Sequence, residues 1–432
     1  MIVAVSDTTI ADVTAISLSA PDFWQLPLEE RDRAFDLLRR ERPVAWQEPP
    51  IAFAPRGVKA PRGYWAVTRH ADIRRVHRDW ETFSAAEGTF VFDNLSPEDE
   101  YVAAGMMGMD PPRHTQLRAL VQKAFTPRTI ARIEQQIWRR ARELVAAVAP
   151  LGQCDYKAIV DPLPHLTVCD LLGFPDEVRD EVARLVHVVT AGSGPNGFQE
   201  SLAGSRELAQ LAIDVAHERA RRPCDDLISE LVRAEVKGER FTDEDLGAMV
   251  HLLIVAGADT TAGAFHAAIL ALDAFPDERR LLVEDFERYQ ETAVEEVLRW
   301  ATPGQYIRRV ATVDTELSGQ PIAAGDNVVL WARSGNRDKE VFDEPYRFDV
   351  ARSPNPHVAF GGGGRHFCLG AGLARTELRA MLHTLITELP DIHLTSGVGW
   401  LPTPQYALVA GPMPCRFSPR EVDPAAGRDG LY

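Results

Sequence analysis

The chain has 432 residues, of which 45% are hydrophobic and 25% are charged, and its formal net charge is −16. This composition is that of an ordinary globular protein and excludes a disordered or fibrous chain. The acidic balance argues against a general nucleic-acid-binding protein, because such proteins need a basic surface to bind phosphates.

Cysteine usage and the N-terminus indicate the compartment. The five cysteines include no Cys-x-x-Cys pair, which argues against a disulfide framework and favours a reducing compartment. The first residues lack the basic region and apolar core of a signal peptide, and no run of about 18 apolar residues suggests a membrane anchor. We therefore expect a cytoplasmic protein with one continuous domain over residues 21–417, flanked by weakly ordered ends at residues 1–20 and 418–432.

Helical patterns dominate the middle of the chain. Apolar residues recur at helical spacing over residues 126–141 and 207–222, which predicts a helix in each range. Thr242 is the predicted N-cap of a third helix with an acidic first turn. This helix could extend to Ala274 and would then be about 50 Å long. Further predicted helices cover residues 280–300 and 370–388.

Strand signals are fewer and lie nearer the two ends of the chain. They cover residues 63–67, 309–311, 315–317 and 327–330. Because helices outnumber these short strands, we predict a mainly α (α+β) fold, a helix-dominated domain with small peripheral β-sheets.

The strongest local signal is a glycine-rich loop that ends at a cysteine. Four consecutive glycines, residues 361–364, are followed by Arg365, His366, Phe367 and Cys368. Glycine tolerates positive φ and lets the backbone approach a flat ligand closely. A helix that begins near Cys368 would direct free N–H groups at the sulfur and favour the thiolate, which is the form that binds iron. A phosphate-binding loop is excluded because its Lys-Ser/Thr pair is missing, whereas a glycine-rich turn with an incidental buried cysteine remains open.

A second candidate lies inside the long predicted helix, in Ala256-Gly257-Ala258-Asp259-Thr260-Thr261. A threonine in mid-helix usually bonds back to the preceding turn, so a satisfied threonine beside a surface aspartate is one interpretation. The apolar residues that precede this segment indicate burial, and a buried carboxyl group needs a partner or a function.

Two pairs of charged residues occur at helical spacing. Glu296 and Arg299 are three residues apart and would share a helix face, which in isolation is usually a solvent-exposed pair. His114 and Arg118 are four residues apart on a helix that two prolines begin, which in isolation indicates an exposed amphipathic helix.

These motifs and their order along the chain make the sequence similar to the cytochrome P450 family of haem-thiolate monooxygenases, in particular to the soluble bacterial members. The similarity extends from about Tyr64 to about Phe417. It implies a P450-like helical fold and makes Cys368 the axial ligand of the iron in haem b, where a thiolate promotes cleavage of the O–O bond. One departure is that Phe360 lies eight residues before the cysteine rather than seven. In this the loop resembles a subgroup of actinobacterial members that oxidise steroids and methyl-branched lipids.

The resemblance also assigns roles to individual residues. It makes Asp259 and Thr260 the catalytic proton relay, with Thr260 hydrogen-bonded to dioxygen. It places Glu296, Arg299 and Arg347 in a buried structural triad. The residues that it assigns to haem binding are His114, Arg118, Ala256, Gly257, Arg309, Phe360, Gly361, His366, Cys368 and Gly370. The residues that it assigns to the substrate pocket are Phe90, Met109, Leu252, Val255, Ala256, Tyr306, Ile307 and Tyr406.

These assignments imply the substrate class. The pocket residues are mostly apolar, which favours a hydrophobic small molecule such as a steroid, a terpenoid or a branched lipid. A hydroxylase that tailors an antibiotic or a polyketide is the alternative within the family. A haem sensor or electron carrier without oxygenase activity is an alternative of another class, and a glycine-loop nucleotide binder, which would be colourless, is a third.

The resemblance implies redox partners as well. We expect a monomer that receives electrons from a separate ferredoxin and its NAD(P)H-dependent ferredoxin reductase. Such partners are acidic, so we expect a local basic patch on the cysteine side of the protein despite the net charge of −16. The candidate residues for this patch are Arg113, Lys123, Arg128 and Arg365.

Overall fold

The structure is a computed structural model, and it describes residues 12–49, 62–86, 89, 101–102, 104–124, 127–191, 197–236, 238–401 and 403–423. Its shorter helices in the first half are α1 (Pro21–Gln25), α2 (Leu28–Glu41), α3 (His70–Arg78) and α4 (Arg113–Ala124). They are followed by α5 (Pro127–Val148), α6 (Tyr156–Val160), α7 (Pro162–Leu172), α8 (Asp176–Ala191), α9 (Gly197–Arg221) and α10 (Leu227–Arg233). The second half contains α11 (Asp243–Ala274), α12 (Pro276–Glu284), α13 (Phe286–Ala301), α14 (Ala332–Gly335) and α15 (Ala371–Glu388).

Helix α11 is the central helix, and its bounds confirm the prediction. Thr242 and Asp245 form a capping box in which each side chain accepts a hydrogen bond from the backbone N–H of the other, which satisfies two free donors of the first turn. The helix packs against α7, α8, α9, α13 and α15. Of the described helices it alone is long and apolar enough to cross a membrane, but 67% of its most apolar stretch is buried inside the protein. The central helix is therefore the core around which the other helices pack.

The strands form small sheets at the periphery. A five-stranded sheet has the order β1 (Val44–Gln47), β2 (Tyr64–Val67), β8 (Asn327–Trp331), β5 (Tyr306–Ala311) and β3 (Phe83–Ser84). A three-stranded sheet has the order β4 (Gln153–Asp155), β12 (Pro414–Arg416) and β9 (His393–Leu394), and two pairs remain, β6 (Thr315–Leu317) with β7 (Gln320–Ile322) and β10 (Gly399–Trp400) with β11 (Val409–Ala410). The mainly α fold with small peripheral sheets is confirmed.

The first and last described segments, residues 12–20 and 418–423, contact the rest of the protein more than their composition predicts. Leu18 is fully buried, its N–H donates to Gln47 Oε1 at 2.7 Å, and its carbonyl accepts from Trp24 Nε1 at 2.9 Å. The N–H of Ser418 donates to the Asp391 carboxylate at 2.9 Å. The prediction of a weakly ordered segment is thus wrong for residues 12–20, because their apolar side chains fill a core beside β1 that short-range patterning does not reveal.

Candidate functional site

Cys368 lies where the glycine-rich loop meets the start of α15. Its N–H donates to the carbonyl of Phe360 at 3.1 Å, and the residue is exposed. Desolvation by the surrounding protein raises the pKa of the Cys368 thiol, while the N–H groups of Gly370 and Ala371 and the nearby guanidinium groups act to lower it. The helix begins at Ala371, one residue after the predicted start at residue 370. The N–H donors that the sequence suggested are present, and they offset only part of the desolvation that raises the pKa of the Cys368 thiol.

The four glycines serve a purpose that the sequence did not reveal. Gly361, Gly363 and Gly364 have φ between +83° and +95°, where a side chain is strained. A Cβ on Gly362 would lie 2.7 Å from the Cα of Arg74, and one on Gly364 would clash with the backbone carbonyl of His77. The glycines therefore allow the loop to lie directly on α3, and the close approach that requires them is made to that helix.

Four basic residues meet beside the cysteine loop. His114 on α4 and His366 have ring centroids 4.1 Å apart, and His114 and Arg309 are almost completely buried. Neither ring nitrogen of His114 has a hydrogen-bond partner, and His366 Nε2 also lacks one. Arg118 donates to the carbonyl of Phe367 at 2.8 Å, and Arg309 donates to the carbonyl of Arg308 at 2.7 Å.

The electrostatics of this basic cluster favour an anion. Burial lowers the pKa of His114 to about 4, helped by Arg118 and Arg365, and it lowers the pKa of His366 to about 2, helped by Arg309. Burial also lowers the pKa of Arg309 to about 10. Unpartnered buried donors are costly, and carboxylate groups would supply the missing partners. The cluster therefore fits two carboxylate groups, such as the propionates of the haem that the resemblance implies.

A second network supports the far side of the loop. Arg375 on α15 donates to both oxygens of Glu295, at 2.5 and 2.9 Å, and its guanidinium carbon lies 4.6 Å from the centroid of the Phe360 ring. His357 Nε2 is 3.0 Å from the same carboxylate. Despite the cost of burial, bonds from Arg375 and His357 lower the pKa of Glu295 to about 2. Sequence analysis missed this network, although Arg375 follows Cys368 by two helical turns.

The charged pair Glu296 and Arg299 is completely buried. Arg299 donates to both carboxylate oxygens of Glu296 at 2.7 Å, and also to the carbonyls of Asn336 and Pro345. The third member of the network is Arg352, whose Nε lies 3.1 Å from Glu296 Oε2. The solvent-exposed interpretation of this pair is excluded.

The assignment of Arg347 to this network is wrong. Its side chain is 53% exposed and pairs with Glu278 and Glu344, and only its backbone carbonyl accepts a hydrogen bond, from Arg299 Nη2 at 3.1 Å. The reason is geometric, because the chain turns after Tyr346 and brings Arg352 back to the buried carboxylate.

On the central helix, Thr260 and Ala256 share one face. The Thr260 hydroxyl donates to the Ala256 carbonyl at 2.6 Å, which is the bond to the preceding turn that the sequence allowed. Ala256 is exposed and Asp259 and Thr260 are half-buried, although the rest of the helix is largely buried. Accessible space therefore reaches the middle of the central helix at these residues.

Gly257 does not face that space. A Cβ at this position would lie 2.7 Å from Val168 Cγ2 on α7. A helical residue is rotated by about 100° from its neighbour, which turns position 257 from the open face towards α7. Gly257 therefore permits close packing of the central helix against α7.

A buried carboxyl group lies behind this face and was missed by the sequence analysis. Glu377 on α15 is 2% exposed. Burial raises its pKa to about 8, although the neighbouring hydroxyl groups of Thr167 and Thr261 act in the opposite direction. Glu377 is therefore protonated at neutral pH next to the residue that follows Thr260. No motif marks it, because a single glutamate in an amphipathic helix is usually a surface residue.

The structure brings together only part of the predicted pocket. Leu252 is buried, Met109 and Val255 pack against the same hydrophobic core, and Ile307 and Tyr406 are half-buried. Phe90 lies outside the described residues.

Tyr306 is a correction to the predicted pocket. It belongs to the core beneath the five-stranded sheet, with its ring 5.2 Å from that of Trp331. Successive strand residues point to opposite faces, so Tyr306 and Ile307 cannot both line one pocket.

The predicted basic patch is also changed. Arg113 is 2.5 Å from Asp245 in an ion pair at the start of the central helix, and it is thus engaged within the protein. Arg365 is exposed, and its guanidinium carbon lies 5.1 Å from the centroid of the Trp80 ring. The side chains of Lys123 and Arg128 lie outside the described part of the chain. Arg365 is therefore the patch residue that the structure leaves at the surface of the cysteine side.

Comparisons with known proteins place the chain in a family. The profile described as "Cytochrome P450" matches residues 205–390. A methyl-branched lipid omega-hydroxylase of Mycobacterium tuberculosis is 39% identical over 89% of this chain and 90% of its own length. A steroid C26-monooxygenase of Mycolicibacterium smegmatis is 36% identical over 85% of each chain.

Solved structures agree. A cytochrome P450 of Mycobacterium marinum in complex with pseudoionone has a TM-score of 0.88 and 41% identity, and the match covers 93% of this chain and 98% of that one. The cytochrome P450 of the Bacillus subtilis bacillaene polyketide synthase has a TM-score of 0.80 and 30% identity, over 91% and 98% of the two chains. With relatives this similar along nearly its whole length, the chain belongs to the cytochrome P450 family and is a haem-iron monooxygenase.

Proposed function

We propose that this monooxygenase hydroxylates a steroid, a terpenoid or a methyl-branched lipid, with haem b bound through Cys368. The observation that carries the proposal is the cluster of His114, His366, Arg309 and Arg118, whose buried and partly unpartnered donors lie beside the cysteine loop. Such a cluster is costly without carboxylates. Two propionates on a flat group bound at the cysteine sulfur would satisfy it.

The chain's residues would divide the work as follows. Haem supplies the activation of dioxygen and the transfer of one oxygen atom to a C–H bond. Cys368 would hold the iron as a thiolate, which the N–H groups of Gly370 and Ala371 help to stabilise. His114, Arg118, Arg309 and His366 would bind the propionates, while Arg375 stacks on the ring of Phe360 at the start of the cysteine loop.

On the side of the site opposite the cysteine loop, residues of the central helix would hold and transfer protons. Because the Thr260 hydroxyl hydrogen is committed to the Ala256 carbonyl, the oxygen presents its lone pairs to the accessible space. It can therefore accept a hydrogen bond from a proton-bearing partner such as water. Asp259 is half-buried and can exchange a proton between solvent and this point.

The test of the haem site is the absorption spectrum of reduced protein under carbon monoxide. We expect a strongly red-shifted Soret band in the wild-type protein and its loss in Cys368→Ser, because only a thiolate ligand gives this band. Cys224→Ser is the matched control, since Cys224 is also exposed and should leave the band unchanged. A colourless wild-type protein, or a band that Cys368→Ser keeps, would overturn the proposal.

The substrate class is tested by spectral titration and product analysis. A methyl-branched lipid, a steroid and a terpenoid ketone represent the relatives' names and the ligand of the Mycobacterium marinum structure. We expect micromolar binding and hydroxylation of at least one of them. The resemblance to the polyketide synthase P450 favours a tailoring hydroxylase as the second candidate. Turnover of a polyketide together with no binding of the three hydrophobic probes would support that candidate instead.

We further propose that the enzyme is a soluble cytoplasmic monomer reduced by a ferredoxin that docks near Arg365. Arg365→Glu should slow reduction by an acidic ferredoxin at low salt, and the difference should shrink at high salt because charges are then screened. Arg280→Glu is the control, since Arg280 is exposed on α12. Equal rates for the two variants would contradict docking at Arg365. Light scattering should give a mass near 47.9 kDa for the chain.

A further inference from the structure

Two cysteines face each other in the three-stranded sheet, away from the haem site. Cys154 on β4 and Cys415 on β12 are direct partners in the antiparallel register, and their Sγ atoms are 3.7 Å apart. Cys415 is buried, whereas Cys154 is half-buried. One sulfur of the pair is thus reachable from solvent, and the other lies directly behind it.

The sheet geometry allows the two sulfurs to bond. Tyr156 N–H donates to the Met413 carbonyl at 2.8 Å, and Phe417 N–H donates to the Gly152 carbonyl at 3.0 Å. Hydrogen-bonded and non-hydrogen-bonded pairs alternate along an antiparallel ladder. Cys154 and Cys415 lie midway between these two hydrogen-bonded pairs and are therefore a hydrogen-bonded pair themselves. Such pairs have Cα atoms about 5.5 Å apart, inside the range that disulfides span. Rotation of the side chains would need to bring the sulfurs together by about 1.7 Å.

We propose that Cys154 and Cys415 are a site of reversible oxidation, at which a small peroxide converts the dithiol into a disulfide. The Cys154 thiolate attacks the peroxide oxygen, the O–O bond breaks, and a sulfenic acid and one molecule of alcohol or water result. The Cys415 thiol then attacks the sulfenic sulfur, an S–S bond forms, and water leaves. In total the two thiols lose two electrons and two protons, which the peroxide accepts.

The environment assigns the first step to Cys154. The hydrogen bond with Cys415 lowers the pKa of Cys154, while the same bond and burial raise the pKa of Cys415. The thiolate is the reactive form, and it therefore forms at the sulfur that solvent reaches. In a reducing compartment the dithiol is the resting state, and a cellular dithiol such as a thioredoxin restores it.

The disulfide would link the C-terminal part of the chain to β4. Asp155 accepts from the Met413 N–H at 2.9 Å, next to the segment that carries Tyr406. A link between residues 154 and 415 would close a loop of more than half the chain, and closing a long loop restricts the unfolded state strongly. The oxidised protein should therefore unfold at a higher temperature than the reduced one.

The test uses the full-length holoprotein treated with hydrogen peroxide and mapped by mass spectrometry without reduction. We expect a linked peptide that contains Cys154 and Cys415, a mass loss of about 2 Da per chain, a raised unfolding midpoint, and reversal of all three by dithiothreitol.

Variants separate this pair from the other cysteines. Cys154→Ser should remove the linked peptide and the rise in midpoint, and Cys415→Ala should do the same while leaving Cys154 to gain oxygen atoms. Cys224→Ser is the control for an exposed cysteine and should behave as the wild-type protein does. The proposal is overturned if oxidation only adds oxygen to Cys154, or if the mass loss persists in Cys154→Ser.

Discussion

The two sides of the haem site are built differently. On the cysteine side, charged groups are bonded to one another, completely buried in Glu296 with Arg299 and partly buried in Glu295 with Arg375. On the side of the central helix, the face is made of half-buried apolar residues such as Val255, and the Thr260 hydroxyl bonds only within its own helix among the contacts described.

This difference separates the side that would fix the reacting group from the side that would contact the substrate. A buried ionic network fixes positions because a displaced charge loses its partners in a medium that solvates it poorly. An apolar face tolerates changes of side chain, because dispersion contacts have no fixed direction. The cysteine side is thus held in one geometry, and the helix side can be adapted to different hydrophobic molecules.

The largest expected effect breaks the ionic network on the cysteine side. Glu296→Gln would leave the buried guanidinium groups of Arg299 and Arg352 without their carboxylate, so we expect a loss of about 3–5 kcal/mol in the free energy of unfolding. The purified variant should also retain little haem. Urea unfolding and the ratio of Soret to protein absorbance measure the two effects.

The same network distinguishes Arg352 from Arg347. Arg352→Gln removes a partner of Glu296 and should lower the unfolding midpoint clearly. Arg347→Gln alters an exposed side chain and should leave the midpoint nearly unchanged. Equal losses in the two variants would contradict the network described here.

The next effect tests why the loop contains four glycines. Gly364→Ala would place a Cβ against the His77 carbonyl at a φ of +83°, and we expect a loss of about 1–3 kcal/mol with weaker haem retention. Gly372→Ala is the control, because a Cβ there meets no atom within 4 Å and alanine favours a helix. If both variants were equally stable, the contact with α3 would not be what requires glycine.

The features of the fold and site that the sequence predicts are those that depend on residues close together in the chain. The central helix was predicted to its last residue because its N-cap and its apolar length are determined by consecutive residues. The burial of the Glu296–Arg299 pair was implied by the family resemblance, which a short motif of fixed spacing carries. Cys368 belongs to another such motif, and its role as the iron ligand stays a prediction.

The errors concern residues whose position depends on the path of the chain. Arg352 replaces Arg347 because an irregular segment between them has no period from which direction could be read. The burial of Tyr306 depends on what covers that face of the sheet, and Glu377 is a single residue whose burial is set by tertiary contacts. Physical patterns predict a face or a turn, but they do not specify which element covers it.

A smaller effect tests the boundary between the two sides, where Glu377 reaches from α15 to the central helix. In the unfolded chain this carboxyl loses its proton above about pH 4.5, whereas the folded protein keeps it to about pH 8. Ionisation of the unfolded state therefore lowers the stability of the wild-type protein as pH rises between these values.

Glu377→Gln removes this pH dependence. We expect the variant to gain stability relative to the wild-type protein as pH rises from 5 to 8, by at most about 1.4 kcal/mol per pH unit, measured by urea unfolding at several pH values. Glu291→Gln is the control, because Glu291 is exposed on α13. A constant difference between Glu377→Gln and the wild-type protein across this range would mean that Glu377 is ionised in the folded state.

The smallest effect concerns the apolar side, where one polar link ties the segment before α4 to the central helix. The Tyr101 hydroxyl and Arg113 both donate to the carboxylate of Asp245. Burial opposes ionisation of Asp245, but the bonds from Tyr101, Thr242 and Arg113 lower its pKa overall. Its contribution to stability is therefore present above about pH 4 and is lost as pH falls further.

Tyr101→Phe should loosen this link without unfolding the protein. We expect a loss of about 1 kcal/mol, an acid unfolding midpoint at slightly higher pH, and faster hydrogen exchange in the described residues 104–113. Tyr289→Phe on α13 is the control and should change none of these. If exchange in that segment stays at the wild-type rate, the link is not what holds it. The packing of Gly105 against Leu252 would then hold the segment, and apolar contacts would restrain the helix side as well as form its surface.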